Sequence, residues 1–454
     1  MKKRVVAIVM AVVFLITMTL SGCGAASKED TSESKATEGS KVTQSTTAEK
    51  QSTEEISASL RILWPGTSDI EKEVAGDLEK AVKEKYPKIA MEFMYLVWGD
   101  LNKKLAVMVQ SKDYPDLVEV LGVSDFVAMD ALEPLDSYFG GNLKLDMFSK
   151  APLQIMSVDG KIYGVPGISD IYGHVVNTKL LAEAGFKPED ITSWDTLKQA
   201  VKAMTKDGKY GYAMADGANG RYCFRDLMMA CISNGTRADD ITDASKQKYI
   251  EVLQLFKDMA PYMPKSQVTW TYPELYKAWE AEDIGMIHSG IWFTANIISH
   301  GTNSIKDTSA IVFPKGPSAD APAAMTGTAG FSIIKGSNQK EAAWKVIETM
   351  FTIPILGKWS VALAVPCVNY IDSATIESAA QKVYPEVYKD HLRLINDFMK
   401  IDKVSIPEPQ LIAREPMEKV VQGAVVKMLD GKLTAEQAYG EIKKGIEQVR
   451  ASAN

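Results

Sequence analysis

Histidine and cysteine are scarce, four of each in 454 residues. His174, His288, His300 and His391 stand far apart, and no H-E-x-x-H, Cys/His zinc spacing, G-x-S-x-G elbow or phosphate-cradling P-loop occurs. Metal, nucleophile-elbow and nucleotide chemistry therefore have no motif to stand on, and no metal or cofactor is expected. Cys223 and Cys231 lie eight residues apart in a stretch that reads as helix, a separation of about 12 Å. A disulfide needs Cα atoms roughly 4.4–6.8 Å apart. These two and Cys367 read instead as small buried hydrophobes, with no disulfide framework. Positive charge is short as well: 51 Lys and Arg face 58 Asp and Glu, for a net −7, which argues against a nucleic-acid partner. The apolar run at residues 5–20 reaches about 24 Å as a helix, short of a hydrocarbon core about 30 Å thick.

That run has a clear context. "MKKR" precedes "VVAIVMAVVFLITMTL", and the small residues "LSGC" follow, the order of a secretory signal. Leu20-Ser21-Gly22-Cys23 resembles the lipobox of bacterial lipoproteins. That resemblance implies removal of residues 1–22 as a signal peptide and a diacylglycerol on the Cys23 sulfur. Two acyl chains hold a protein at a membrane far better than one, each buried methylene adding about 0.8 kcal/mol. Residues 24–57 are mostly Ser, Thr, Glu, Lys and Ala, with no aromatic residue and almost no large apolar one, too polar to offset the entropy of ordering. They read as a disordered tether with a mean reach of about 30 Å. The expectation is a body held by lipid on the extracellular face of a bacterial cell membrane.

At about 150 residues per domain the length allows two or three domains, and 46% hydrophobic with 24% charged residues suits a real core. The body opens with alternation at Leu60, Ile62 and Trp64, a strand stopped by Pro65-Gly66. Ile70, Val74, Leu78 and Val82 then recur at helical spacing. "KIAMEFMYL" alternates again, Leu101, Leu105, Met108 and Val109 give a second helical face, and "DLVEVLG" is a short apolar strand. The order βαβαβ argues for a parallel sheet flanked by helices, in which ligands sit beyond the carboxyl ends of the strands. That singles out "WPGTSD", "VWGD", "LGVSD" and, later, "HSGIW". Farther on, "SWDTLKQAVKAMT" and "YIEVLQLFKDMAPYM" read as helices and "YGYAM" as a strand. In "IGMIHSGIWFTANI" a strand turns at Ser289-Gly290 into a helix. Pro416, Gly431 and the Thr434–Gln437 capping pattern frame the last two helices.

Aromatic residues cluster at these ends. Trp64, Trp98, Trp270 and Trp292 lie at ends of apolar segments or in loops, as do Tyr172, Tyr222 and Tyr272. Aromatic faces stack on the C–H faces of sugar rings, and a few placed polar groups bond the hydroxyls. Two carboxylates of a glycoside hydrolase can come from anywhere in a chain; Asp125, Asp170 and Glu119, near predicted strand ends, keep that rival open.

Six stretches together resemble the family 1 extracellular solute-binding proteins, the sugar-capture lipoproteins of ABC importers. "VWGDLNKKLAVMVQSKDYPDLVEV" is similar to W-x-x-x-x-x-K-L…S-G-x-x-P-D-[LV], with Lys112 at the glycine. "DGKIYGVPGISDIYGHVVNTKLLAEAGF" is similar to D-G-K-x-Y-G-[VI]-P…Y-N-x-x-L-[LF]-x-x-A-G, with Val176-Asn177 for Tyr-Asn. "SWDTL" resembles T-W-[DE]-E-L. "WEAEDIGMIHSGIW" resembles F-x-x-G-x-x-A-M-x-x-x-G-x-W, with Trp279, Glu282 and Gly285 at the Phe, Gly and Ala. "TGTAGFSIIKGSNQKEAAWKVIETMF" and "LDGKLTAEQAYGEI" match the family's glycine-rich strand and closing segment. The resemblance implies an α/β, two-lobed, type II periplasmic-binding-protein-like fold. Each lobe would be a mainly parallel sheet flanked by helices, with the ligand cleft at the hinge. The lobes would be 59–168 plus 328–365 and 169–327 plus 366–454, with crossings at "GVPGISDIYG", at "MTGTAGFSI" and after "ALAVP". The expected function is capture of a mono- or oligosaccharide, without covalent chemistry, by a monomer that delivers to importer permease subunits. Another polar solute, or a sensing role beside a membrane receptor, is the alternative. The expected ligand contacts are Trp64, Trp98, Asp125, Asp170, Tyr172, Trp270, His288, Trp292, Gly327 and Arg414. Trp64 and Trp292 would stack on sugar rings. Asp125, Asp170, His288 and Arg414 would bond hydroxyls.

Overall fold

Leu60, Ile62 and Trp64 fall on one buried face of strand β1 (Ala58–Pro65) in the computed structural model, which describes residues 56–217, 220–299 and 303–453. The signal peptide, Cys23, nearly all of the tether and His300 lie outside the described residues. Helix α1 (Asp69–Lys85) starts where Ser68 and Glu71 form a reciprocal capping box, and it buries Val74, Leu78 and Val82. Each such side chain removed from water contributes about 1.5–3 kcal/mol. Strand β2 (Ile89–Leu96), helix α2 (Leu101–Ser111) and strand β3 (Leu117–Val120) follow. β1 pairs parallel with β2 on one side and β3 on the other, so the expected βαβαβ unit is present.

Helices α3 (Ser124–Ala128) and α4 (Lys150–Ile155) and the small hairpin of β4 (Ser157–Val158) and β5 (Lys161–Ile162) lead into β6 (Val165–Asn177). This strand carries the chain from one sheet into another. Next come α5 (Thr178–Glu183), α6 (Trp194–Met204), α7 (Arg221–Ser233), α8 (Lys246–Met259) and α9 (Tyr272–Glu280). Strand β7 (Met286–Gly290), helix α10 (Phe293–Ser299) and strands β8 (Thr308–Ile311) and β9 (Ala324–Ile333) follow. The rest is α11 (Lys340–Met350), α12 (Ile353–Leu363), β10 (Val365–Pro366), α13 (Ser373–Val383), α14 (Tyr388–Asp402), β11 (Ser405–Pro407), α15 (Arg414–Leu429) and α16 (Ala435–Ala453). Among the described residues no single helix is long and apolar enough to cross a membrane.

The first half of β6, Val165–Ile171, pairs antiparallel with β9, which in turn pairs antiparallel with β3. The second half, from Tyr172 to Asn177, pairs antiparallel with β7 and β8. The architecture is α/β and two-lobed, built on sheets that share β6. The expectation of mainly parallel sheets holds for β2-β1-β3 but not for the second sheet. There the strand arriving from the first sheet runs against both of its neighbours. "YGYAM" also falls short of a strand. Tyr210 and Ala213 make isolated parallel bridges beside β7. The amides between and after them turn elsewhere, Tyr212 to the Tyr262 carbonyl and Met214 to the Gln267 side chain. Ser289 and Gly290 remain in the ladder opposite Gly173 and Tyr172, so the chain turns one step later, at Ile291-Trp292. Cys223, Cys231 and Cys367 are free and buried.

Candidate functional site

A cleft of about 1710 Å³ opens where the strands of both sheets end. Residues 66–71 after β1, 97–100 after β2, Leu121 after β3 and Trp292 after β7 all line it. The strand-end rule thus located it. Other walls come from the first turns of α7 and α9, from α10, α12 and α13, and from Asp170 and Ala329 on the shared strands β6 and β9.

One wall is aromatic. Tyr222 stacks on Tyr272 with ring centroids 3.9 Å apart, and Tyr272 stacks on Tyr276 at 5.2 Å. Trp292 lies 6.1 Å from Tyr272 and donates from Nε1 to the Tyr276 hydroxyl at 3.0 Å. Tyr276 is fixed in turn against Ser289 Oγ at 2.9 Å. Trp98 lines the same cleft just beyond the last residue of β2, its Nε1 donating to Glu71 Oε1 at 3.1 Å. The other oxygen of Glu71 accepts from the Ser68 amide and hydroxyl, so this carboxylate caps α1 and orients Trp98 together.

Charge gathers beneath the aromatic wall. Asp170, 7% exposed, lines the cleft. Burial pushes its carboxyl up to about 7, aided by Glu408 and opposed by Arg225 and Arg221. Arg225 lies 5.0 Å from the Tyr172 ring centroid and 5.8 Å from that of Trp292, within cation–π range. Burial works against ionisation of Glu408, but Arg414 and Arg225 outweigh it and hold that carboxyl below its usual range.

Of the ten expected ligand contacts, the cleft brings together Trp98, Asp170 and Trp292, joined by Tyr222 and Tyr272, which were also singled out among the aromatic residues. The other seven expected contacts stand elsewhere. Trp64 is 1% exposed, wedged between Phe93 and Phe331 with both ring centroids at 5.5 Å, and is core. Tyr172 is fully buried; it donates to Glu408 Oε2 at 3.2 Å and supports Trp292 from below, ring edge to ring face, at 5.3 Å. His288 is buried behind Tyr172, its Nδ1 against Asp226, and so has no face toward the cleft. Asp125 accepts from the Ala413 amide at 2.9 Å, tying α3 to the segment before α15. Arg414 is taken up by Glu408 and Glu418 at 2.5 and 2.7 Å. Trp270 is half-buried and its carbonyl accepts from the Gly217 amide at 2.7 Å, while its neighbours Thr271 and Tyr272 line the cleft. Gly327 faces the Tyr172–Glu408 hydrogen bond; a Cβ there would lie 2.8 Å from Glu408 Oε2. Glu119 is buried in β3.

The sequence reading missed Arg221, Arg225, Tyr276, Asn296 and Tyr384 as wall residues. Arg225-Asp226 did carry a signal, two charges inside the apolar run of α7, "CFRDLMMACI".

The geometry agrees with a family relationship. A family described as bacterial extracellular solute-binding protein matches residues 78–375. The chain belongs to that family. A lactose-binding protein of Rhizobium radiobacter is 30% identical over 129 residues, 27% of this chain and 31% of its own. An arabinooligosaccharide-binding protein of Bacillus subtilis (strain 168) is 25% identical over 135 residues, 29% of this chain and 31% of its own. These alignments therefore span about three-tenths of each relative. Among solved structures, an ABC substrate-binding protein of Listeria monocytogenes in complex with cycloalternan superposes with a TM-score of 0.72 at 16% identity. It covers 87% of this chain and 100% of the other. A chitin oligosaccharide binding protein gives 0.74 at 18%, covering 87% and 99%. At such identities the likeness shows the fold. The family is one of extracellular solute-binding proteins, and these neighbours are binding proteins as well.

Proposed function

We propose that this solute-binding protein captures an oligosaccharide for an ABC importer and does no covalent chemistry on it. The observation that carries the reading is the continuous aromatic wall of Tyr222, Tyr272, Tyr276 and Trp292 in a cleft of about 1710 Å³. Tyr272 is covered on both faces by Tyr222 and Tyr276, so the half-buried Tyr222 and Trp292 at the ends of the row are the rings that would meet sugars, and Asp170 and Asn296 beside them offer polar partners for hydroxyls. The volume exceeds the roughly 300–1,000 Å³ of a small-molecule site, which favours an oligosaccharide over a single sugar. Relatives that bind lactose and arabinooligosaccharide support the same class. Of the earlier candidates, Trp98, Asp170 and Trp292 are proposed as ligand contacts, with Tyr172 and Arg414 as their supports.

Closure would occur about β6, β9 and β10, moving 59–168 plus 328–365 against 169–327 plus 366–454. A ligand that touches both lobes shifts the population toward the closed state by its differential affinity for it. The lipid on Cys23 and the tether would keep the body near the permease on the outer face of the membrane. A thermal-shift and calorimetric screen of the protein against oligosaccharides tests the reading. Ligand at 100 times its Kd stabilises by about 2.7 kcal/mol. Stabilisation by some other class of solute, and by no saccharide, would sink it.

A further inference from the structure

Arg221, Arg225 and Arg414 surround a region that also holds Glu408, Glu418 and Asp170. Both glutamates are spent on Arg414: Nη2 donates to Glu408 Oε1 at 2.5 Å and Nε to Glu418 Oε1 at 2.7 Å. The second oxygen of Glu408 accepts from the Tyr172 hydroxyl. Arg225 lines the cleft and is 5% exposed. Its Nε is buried without a hydrogen-bond partner among the described residues. It lies between the rings of Tyr172 and Trp292, which restrain it without neutralising it. A second donor beside it is also unmatched among the described residues: the Tyr272 hydroxyl, on the aromatic wall.

A buried cation is costly unless an anion meets it. Asp170, which lines the same cleft, is a weak counterion, because burial and Glu408 raise its carboxyl to about 7. The other acids of the cleft, Asp69, Glu71, Glu73, Asp100 and Asp372, stand on other segments, at the starts of α1 and α13 and after β2. Glu71 holds Ser68 and Trp98, and Glu73 pairs with Lys358. Lys277 on α9 adds a further positive group beside Tyr272 and Tyr276. The aromatic wall thus carries Arg221, Arg225 and Lys277, while Lys358 and Lys382 line the cleft from α12 and α13. A guanidinium presents a planar fork that matches a carboxylate with two parallel hydrogen bonds. A neutral hydroxyl would leave Arg225 only the field of Glu408 and Glu418, both of which already hold Arg414.

We propose that the saccharide taken by this cleft is acidic, carrying a hexuronate carboxylate that Arg225 receives, with the Tyr272 hydroxyl beside it. The inference rests on the saccharide reading above and narrows it to a ligand class. Calorimetry on the unaltered protein tests it, with trigalacturonate and trimannuronate, their fully methyl-esterified forms, and maltotriose. Esterification removes the charge and keeps the ring. The expected result is that a tri-uronate binds and its ester binds roughly 10- to 100-fold more weakly, the range for a hydrogen bond to a charged group. Arg225→Gln lowers affinity for the acid by a similar factor and for the ester by less, and Arg225→Lys restores part of the loss. The ester comparison stands even where a substitution at this buried site prevents folding. Equal binding of acid and ester, or binding of maltotriose with neither acid, overturns the proposal and leaves the saccharide reading intact. Binding of no saccharide alongside binding of another solute overturns both.

Discussion

The Trp292 indole folds back across Gly290, so closely that a Cβ on Gly290 would overlap the ring. Gly290 is the last residue of β7, still paired with Tyr172, and its missing side chain lets the tryptophan lie against the strand end. Gly290→Ala is therefore expected to expel the indole while the ladder below survives. Saccharide affinity would fall at least as far as in Trp292→Ala, and the Trp292–Tyr276 hydrogen bond would break. Calorimetry with the best ligand and tryptophan emission read the outcome. An unchanged affinity would mean the indole position does not matter.

Two tryptophans singled out on the same grounds should now behave in opposite ways. Trp292 is half-buried and lines the cleft; Trp64 is core. Trp292→Ala is expected to cost about 2–4 kcal/mol of binding, as for a central aromatic anchor, with a small change in melting temperature. Trp64→Ala is expected to cost about 3–5 kcal/mol of folding stability, with affinity in the folded fraction unchanged. Denaturant melts beside titrations separate the two.

The alternation that revealed β1 already held this distinction. Leu60 and Ile62 share a strand face with Trp64, so the ring had to point where they point, into the core. Trp98 and Trp292 lie beyond the last paired residues of β2 and β7, where no ladder dictates direction. The βαβαβ unit and the cleft at its strand ends were legible because local periodicity encodes them. The fates of Asp125 and His288 were not. They are decided by partners distant in sequence, Ala413 and Asp226; Arg414 has Glu418 at i+4 and Glu408 six residues before it, a local pairing that the sequence did offer.

The departures from the family's glycines carry a prediction of their own. Lys112 and Glu282 stand where the family pattern has glycine, and both have positive φ, 58° and 57°. A non-glycine residue in that region costs roughly 1–2 kcal/mol, while glycine adds about 0.5–1 kcal/mol of unfolded-state entropy. Lys112→Gly is thus expected to stabilise the fold by about 0.5 kcal/mol or somewhat more. Glu282→Gly gains the same relief but loses ion pairs with Lys179 and Lys209 at 2.6 and 4.0 Å. Exposed pairs contribute roughly 0–1 kcal/mol, so that substitution should come out near neutral. Urea melts of both variants check the order; a destabilising Lys112→Gly would contradict the backbone argument.

Asp170 gives the stability of the protein a pH dependence whose sign follows from burial. Its carboxyl is raised from 3.8 to about 7 in the folded chain. Between those values the folded protein holds a proton that the unfolded chain has released, so stability falls as pH rises through this window and levels off above about 7. Asp170→Asn removes this contribution alone. Asp216, also raised to about 7 by burial, and His174, pushed well down by burial, act equally in both chains and cancel in the comparison. The advantage of Asp170→Asn over the parent should therefore grow by up to about 1.4 kcal/mol per pH unit between pH 5 and 7 and stay constant from pH 8 upward. Urea melts of both proteins at pH 5, 6, 7 and 8 measure it. A difference that did not vary with pH would show that Asp170 ionises in the folded protein as readily as in the unfolded chain. Arg225 would then already have its counterion, and the case for a ligand carboxylate at that position would lose its electrostatic basis.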